Sequence, residues 1–272
     1  EGLGRVIETG SAVTEFRPGD VVMIPPYAGT WRQQVIVSAR HIRLKFPPKE
    51  KVSNGVHRQL AMLMANPPTA WLLLNSVASL GPGDWIVQNA ANSAVGQYVM
   101  QLANLYGLKT VNVMRRDNLG NLVAQARGDA CLVDGDDLAD QVSEATGNRD
   151  VCLAIDAVAG DATQRLADCL RDGSTVVNYG LLSGEPCRLS PSDIVFRDIR
   201  LRGVWLTRWL RDKSKVDEQQ KVYEELKNHV MAGRLSVKID STYSLERIKE
   251  AIAHAAAEGR NGKILLLPNG DI

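Results

Sequence analysis

The 272-residue chain carries 32 lysines and arginines against 31 aspartates and glutamates, a formal charge of +1, with 44% hydrophobic and 23% charged residues. That composition suits one large or two modest folded domains, and the balanced charge excludes bulk electrostatic attraction to nucleic acid or an anionic membrane. No apolar run is long enough to span a bilayer, and the start lacks a secretory-signal pattern.

The chain opens Glu1-Gly-Leu-Gly-Arg-Val-Ile7 without an initiator methionine, which reads as a strand entered midway, so further residues are expected upstream. Four widely spaced cysteines (Cys131, Cys152, Cys169, Cys187) form no Cys-x-x-Cys pair, and the four histidines are scattered. Reduced thiols in a reducing compartment, and no metal site, are the expectation.

Residues 1–46 read as β structure, with weak alternation over Arg5–Glu8, an apolar run Val21–Ile24, and further strands over Trp31–Val37 and Ile42–Leu44. The turn signals Arg17-Pro-Gly-Asp20 and Pro25-Pro-Tyr-Ala-Gly29 separate them, so a small antiparallel barrel or sandwich is expected. Lys45–Lys51 is a charged, proline-containing loop and a candidate boundary. From Gly55 to Ala78 the pattern is helical, with a break expected at Asn66-Pro67-Pro68 and Thr69 available to cap the next helix. Asn66 is either a turn residue or a carboxamide aimed at a ligand.

After the turn Gly81-Pro-Gly-Asp84, the run Trp85-Ile-Val87 predicts a strand, and Val95, Val99, Leu102 and Ala103 recur at helical spacing up to Gly107. Between them lie Ala90, Ala91, Asn92, Ser93 and Ala94, with Gly96 on the first helical turn. Small residues let a ligand approach unpaired amides at a helix start, where the dipole favours an anion, and a pyrophosphate is expected there. The fingerprint Gly-x-Gly-x-x-Gly is absent as written; with Gly96 as its last glycine, Ser93 takes the middle place. A second strand, Leu108–Met114, ends in Arg115-Arg116-Asp117, where the adenosine ribose is read. Met114 before two arginines suits a 2′-phosphate, because guanidinium forks match phosphate oxygens, so NADPH is preferred to NADH.

The alternation continues with helices over Leu119–Arg127, Asp137–Thr146 and Gln164–Leu170, and strands over Ala130–Val133, Val151–Ile155 (ending in Asp156), Ser174–Asn178 and Ile199–Val204. Six apolar strands separated by helices predict an α/β fold, a doubly wound parallel (Rossmann) sheet with ligand at its carboxyl edge. Residues 207–272 leave this pattern: an amphipathic helix over Asp212–Ala232, a strand Ser236–Ile239, a helix Leu245–Ala257 and a strand Lys263–Leu267.

The spacing Gly10-Ser-x-Val13-x-x-Phe16-x-x-Gly19-Asp20-x-Val22 resembles the GroES-like domain of the medium-chain dehydrogenase/reductase superfamily, and the short cysteine-free loop at 23–30 resembles its zinc-free branch. The blocks Gln88–Gln97, Val111–Arg115 and Phe196-Arg-Asp-Ile-Arg-Leu-Arg-Gly-Val-Trp-Leu-Thr-Arg-Trp209 resemble the mitochondrial-type trans-2-enoyl-CoA reductases and their bacterial relatives. The chain departs from them at Ala94, where glycine is usual. The resemblance implies a GroES-like catalytic domain over 1–67 and 207–272, N-terminally incomplete, around a dinucleotide-binding domain over 68–206. It implies NADPH contacts from Asn66, from Asn92, Ser93, Ala94, Val95 and Gly96, from Arg115, Arg116 and Asp117, from Tyr179, Gly180, Leu181 and Leu182, from Val204, Trp205 and Leu206, and from Lys263. The catalytic tyrosine is expected upstream of Glu1. The implied reaction delivers hydride to C3 and a proton to C2 of an enoyl thioester of CoA or acyl-carrier protein, in fatty acid synthesis. A homodimer is expected, in the mitochondrial matrix of a eukaryote or the cytoplasm of a bacterium. An NADPH-dependent quinone or enone oxidoreductase, or a non-catalytic NADPH-binding homologue, remains open on the same residues.

Overall fold

The computed structural model describes residues 1–48, 51–115, 120–257, 259–260 and 262–271. They divide into two compact units, Glu1–Pro68 with Asp212–Ile272, and Thr69–Arg211. The sequence reading draws the divisions after residues 67 and 206.

The first unit opens with a three-stranded antiparallel sheet of β1 (Leu3–Arg5), β2 (Val21–Met23) and β3 (Lys45–Phe46), in that order. Trp31–Val37 and Ile42–Leu44, read as strands, form none. Trp31 and Ile36 are exposed and Trp31–Val37 has no ladder partner among the described residues, and alternation without a partner does not make a strand; Leu44 abuts β3, its carbonyl accepting from the Met23 amide of β2 at 3.1 Å, so the strand there starts one residue after the expected segment. Helix α1 (Asn54–Leu60), capped by Ser53, ends in turns over 61–65 before α2 (Asn66–Asn75) begins. The break therefore precedes the prolines. Pro67 and Pro68 occupy the first turn of α2, where a missing N–H costs nothing, and Thr69 lies inside the helix rather than capping it.

The second unit is a six-stranded sheet. In chain order it contains β4 (Trp85–Gln88), α3 (Ala94–Leu105), β5 (Lys109–Met114), α4 (Gly120–Gln125), β6 (Ala130–Val133), α5 (Leu138–Thr146), β7 (Val151–Asp156), α6 (Asp161–Asp168), β8 (Thr175–Asn178), α7 (Pro191–Phe196), β9 (Arg200–Gly203) and α8 (Leu206–Arg211). The strand order is β6-β5-β4-β7-β8-β9, and every pairing is parallel, which is the doubly wound Rossmann arrangement expected. Period-two alternation divides the core: Val111 and Val113 join Leu138, Val142 and Leu166 in one buried cluster, while Met114 joins Met100 and Val123 in another. Short helices α7 and α8 escaped the sequence reading, being too brief to show a 3.6-residue period. The residue Leu119, from which the α4 helix was expected to start, lies outside the described residues.

Returning to the first unit, α9 (Val216–Met231) buries Val222, Tyr223, Leu226 and Val230, the face the sequence indicates, and the Tyr223 hydroxyl donates to the Met64 carbonyl at 2.8 Å. Then follow β10 (Ile239–Tyr243), α10 (Ile248–Ala256) and β11 (Lys263–Leu266), with β10 and β11 parallel. The strand expected at Ser236–Ile239 is displaced toward the carboxyl end for a local reason. The Gln59 side chain takes both main-chain groups of Val237, donating to its carbonyl at 2.8 Å and accepting from its amide at 3.0 Å, so the Val237 N–H is spent and a side chain occupies the place of a neighbouring strand.

Candidate nucleotide-binding site at the sheet edge

The carboxyl edge of β4 leads into a turn built for close approach. Ala90 takes a left-handed φ of 46°, Ala91 is fully buried, and Ser93 caps α3 by accepting from the Gly96 amide at 3.1 Å. A methyl at Gly96 would lie 2.6 Å from the Ala91 carbonyl oxygen and 2.7 Å from its Cα, so only glycine lets the helix start this close to the turn. The first intrahelical bond runs from the Gln97 amide to the Ser93 carbonyl at 2.9 Å. The Ala94 and Val95 amides precede it and lie where helical donors are unpaired. Beneath the turn, buried Gln88 donates to the Gly96 carbonyl (3.0 Å) and to Asn112 of β5 (2.8 Å), fixing the helix against two strands.

One buried carboxylate joins the neighbouring exits. Asp156, at the end of β7, is fully buried, yet its Oδ1 accepts from Asn89 Nδ2 (2.7 Å) and from the amides of Val158 (2.8 Å) and Ala159 (3.0 Å). Its Oδ2 accepts from the Thr163 hydroxyl (2.7 Å) and Asn178 Nδ2 (3.2 Å). Burial pushes this carboxyl up; the donors from Ala159, Thr163, Asn89 and Val158 outweigh it and leave it below the ordinary aspartate value. The sequence pattern does not mark Asn89 or Asp156 as site residues. The only hint was a carboxylate closing an apolar strand.

At the next exit, the Tyr179 amide donates to the Asp156 carbonyl at 3.0 Å. The Tyr179 phenol is pushed up to about 12 by burial, against the opposing effect of its hydrogen bond with the Ser93 side chain. Tyr179 thus meets the β4–α3 turn. A methyl at Gly180 would lie 2.6 Å from the Ala157 carbonyl oxygen, a second close approach at the edge. Leu181 and Leu182 are largely exposed, and the Leu182 amide returns to Ala157 at 3.1 Å. At the β9 exit the Val204 amide donates to the Asn178 carbonyl at 3.0 Å, Trp205 is 63% exposed, and Leu206 opens α8, whose Trp209 packs on Trp71 with ring centroids 6.2 Å apart.

Ser93, Gly96, Tyr179 and Gly180 therefore share one edge, with Val204 joined to it through Asn178. Arg115, directly after β5, is exposed and has no hydrogen bond or ion pair among the described residues; Arg116 and Asp117 lie outside the described residues. Asn92 is exposed, and Ala94 and Val95 are half-buried on the first turn of α3. Asn66, the first residue of α2, and Lys263, in β11, belong to the first unit. Lys263 is held below the ordinary lysine value by burial, partly offset by Glu1. That unit also contains a cavity of about 440 Å³ lined by residues including Tyr27, Trp31, Arg32 and Met64. Among the described residues no group of three or more His, Cys, Asp or Glu side chains is arranged to hold a metal ion.

The profile of the zinc-binding dehydrogenase family matches residues 94–228. A mitochondrial enoyl-[acyl-carrier-protein] reductase of Caenorhabditis elegans is 35% identical over 240 residues, 86% of this chain and 67% of that protein. The solved Etr1p/NADP/crotonyl-CoA complex is similar with a TM-score of 0.79 at 25% identity, covering 93% of this chain and 76% of that one. A protein described as an NADPH:quinone reductase, from Bacillus thuringiensis, gives 0.83 at 25% identity, covering 97% and 78%. The chain belongs to the medium-chain dehydrogenase/reductase superfamily of oxidoreductases, within the family of the mitochondrial enoyl-[acyl-carrier-protein] reductases.

Proposed function

We propose that this protein uses NADPH to reduce the 2,3 double bond of trans-2-enoyl thioesters, as a step of fatty acid synthesis. The observation that carries the reading is the glycine-dependent turn before α3 together with the exposed Arg115 directly after β5, which has no hydrogen bond or ion pair among the described residues: one seats a diphosphate, the other a 2′-phosphate. Bound NADPH supplies a hydride for the C3 carbon. Ser93 holds the start of α3 so that the Ala94 and Val95 amides face the diphosphate, with Asn92 beside them, and Arg115 lies beside the adenosine ribose. Tyr179, Gly180, Leu181 and Leu182, with Val204, Trp205 and Leu206, flank the nicotinamide. With its phenol pushed up to about 12, Tyr179 keeps its proton at working pH and acts as a hydrogen-bond donor. The first unit, GroES-like, supplies the acyl site; no metal takes part.

The substrate is an acyl thioester of CoA or of a carrier protein, and the assembly is a homodimer. Its support is β9, an edge strand that pairs only with β8 among the described residues, beside exposed Ile194, Val195, Phe196 and Leu201. No helix of the described residues is long and apolar enough to cross a membrane; the compartment is the mitochondrial matrix in a eukaryote and the cytoplasm in a bacterium. Oxidation of NADPH followed with crotonyl-CoA and with a quinone tests the reading. Faster turnover of the thioester is expected, and a clear quinone preference would instead favour the reading suggested by similarity to the quinone reductase.

A further inference from the structure

Three adjacent strands of the second unit, β4, β7 and β8, leave the sheet within reach of a single buried carboxylate. Asp156 forms no ion pair with a basic side chain among the described residues, and burying a lone charge costs several kcal/mol unless hydrogen bonds replace its water. Here five donors do so, from four separate stretches: Asn89 after β4, Val158 and Ala159 after β7, Thr163 in α6 and Asn178 at the end of β8. A neutral amide in the same place would present one accepting oxygen and turn donors against donors.

The second shared feature is strain. Ala90 and Ala159, both non-glycine, have left-handed φ values of 46° and 66°, one after β4 and one after β7. Such backbone persists only where its surroundings over-determine it. The Ala159 amide is bonded to Asp156 directly. Ala90 follows Asn89, whose carboxamide is held at both ends: its Nδ2 donates to Asp156 at 2.7 Å and its Oδ1 accepts from the Ala157 amide at 2.7 Å.

We infer that Asp156 is a positioning residue of the nucleotide site, acting through the Asn89 carboxamide to hold the turn that leads into α3, and through Asn178 to hold the exit carrying Tyr179 and Gly180. The inference rests on the nucleotide reading above but is separable from it. Asn178 carries the second arm, because its amide nitrogen donates both to Asp156 and to the Gly180 carbonyl at 2.8 Å. Thr163 supplies a control built into the fold: its hydroxyl bonds the same carboxylate from α6, away from either ligand loop.

The experiment compares Asn89→Ala, Asp156→Asn and Thr163→Val in the full chain by thermal melting, by NADPH titration and by hydrogen exchange of the segment 89–96 without ligand. All three variants lose one or more bonds to the network, so all three melt earlier. The account expects the NADPH Kd to rise about tenfold in N89A and D156N and to stay within about twofold of wild type in T163V. It expects faster exchange of 89–96 in the first two variants alone. Unchanged Kd and exchange in N89A and D156N, or a T163V shift as large as theirs, overturns the inference. Failure of the wild type to take up NADPH overturns the nucleotide reading instead, while the exchange comparison still decides whether Asp156 positions the turn.

Discussion

Replacing Gly96 with alanine sets two physical effects of opposite sign against each other. In a helix, alanine is favoured over glycine by up to about 1 kcal/mol, so propensity alone predicts a more stable protein. The new methyl, however, would lie 2.6, 2.7 and 2.8 Å from the oxygen, Cα and carbonyl carbon of Ala91. These are main-chain atoms of a buried turn, which cannot rotate aside as a side-chain tip can, so turn and helix must separate by several tenths of an ångström. Overpacking of this kind costs about 1–3 kcal/mol. With the propensity gain at its full value the net is a loss of up to about 2 kcal/mol, a fall in Tm of up to about 8 °C at the slope for domains of this size. Because the displaced atoms form the proposed diphosphate seat, the NADPH Kd should rise by about tenfold. Gly120→Ala is the matched control: a methyl there meets nothing within 4 Å, and no loss of either quantity is expected. Melting curves and fluorescence titration of the two variants decide the matter. If G96A melted at or above the wild-type temperature and bound NADPH as tightly, the close-approach argument would be wrong.

Three further outcomes follow from the geometry. Asp156 has a folded-state value below the ordinary aspartate one, so its contribution to stability is complete above about pH 4 and is lost as pH falls through the depressed value. The stability difference between wild type and D156N should therefore be flat from neutral pH down to about 5 and shrink below about 4, as chemical denaturation would reveal; a gap that widens in acid would reverse the assignment. Trp209, only 6% exposed and packed at a tilt against Trp71, should cost about 3–5 kcal/mol when cut to alanine, and a change under 1 kcal/mol would show that α8 is not anchored through it. Phe196→Asp together with Leu201→Asp should turn a dimer into a monomer by light scattering, and a dimer that survives both would move the interface elsewhere.

Where the sequence speaks in long, regular phrases, it is legible. The run Trp85–Gly107 carries a strand, a small-residue turn and a helix with a clean 3.6-residue period, and each forms where the pattern puts it. Strands β7 and β8 are apolar runs buried along almost their whole length, as a parallel sheet covered on both faces requires, whereas β9, Arg-Leu-Arg-Gly, is exposed throughout. In the first unit the same rules mislead. Trp31–Val37 has the composition of a strand but joins no ladder among the described residues, and Ser236–Ile239 gives up main-chain groups to Gln59, a residue 178 positions away from Val237. Pro67 and Pro68 suggest a break, yet the first turn of a helix accommodates them. The carboxylate network was hidden for a similar reason. Asn89, Asp156, Thr163 and Asn178 are unremarkable singly, and only the strand order β4-β7-β8 brings them together. The edge residues Ser93, Gly96, Tyr179 and Gly180 were accessible from pattern and resemblance, while the bond between Tyr179 and Ser93 required coordinates.

The most direct measurement is a calorimetric titration of the wild type and of Arg115→Ala with NADPH and with NADH. The account predicts that the wild type binds NADPH at least about tenfold more tightly, and that R115A loses most of this preference while its NADH affinity barely changes. Equal affinities for the two nucleotides in the wild type, or a preference untouched by removing Arg115, would contradict it.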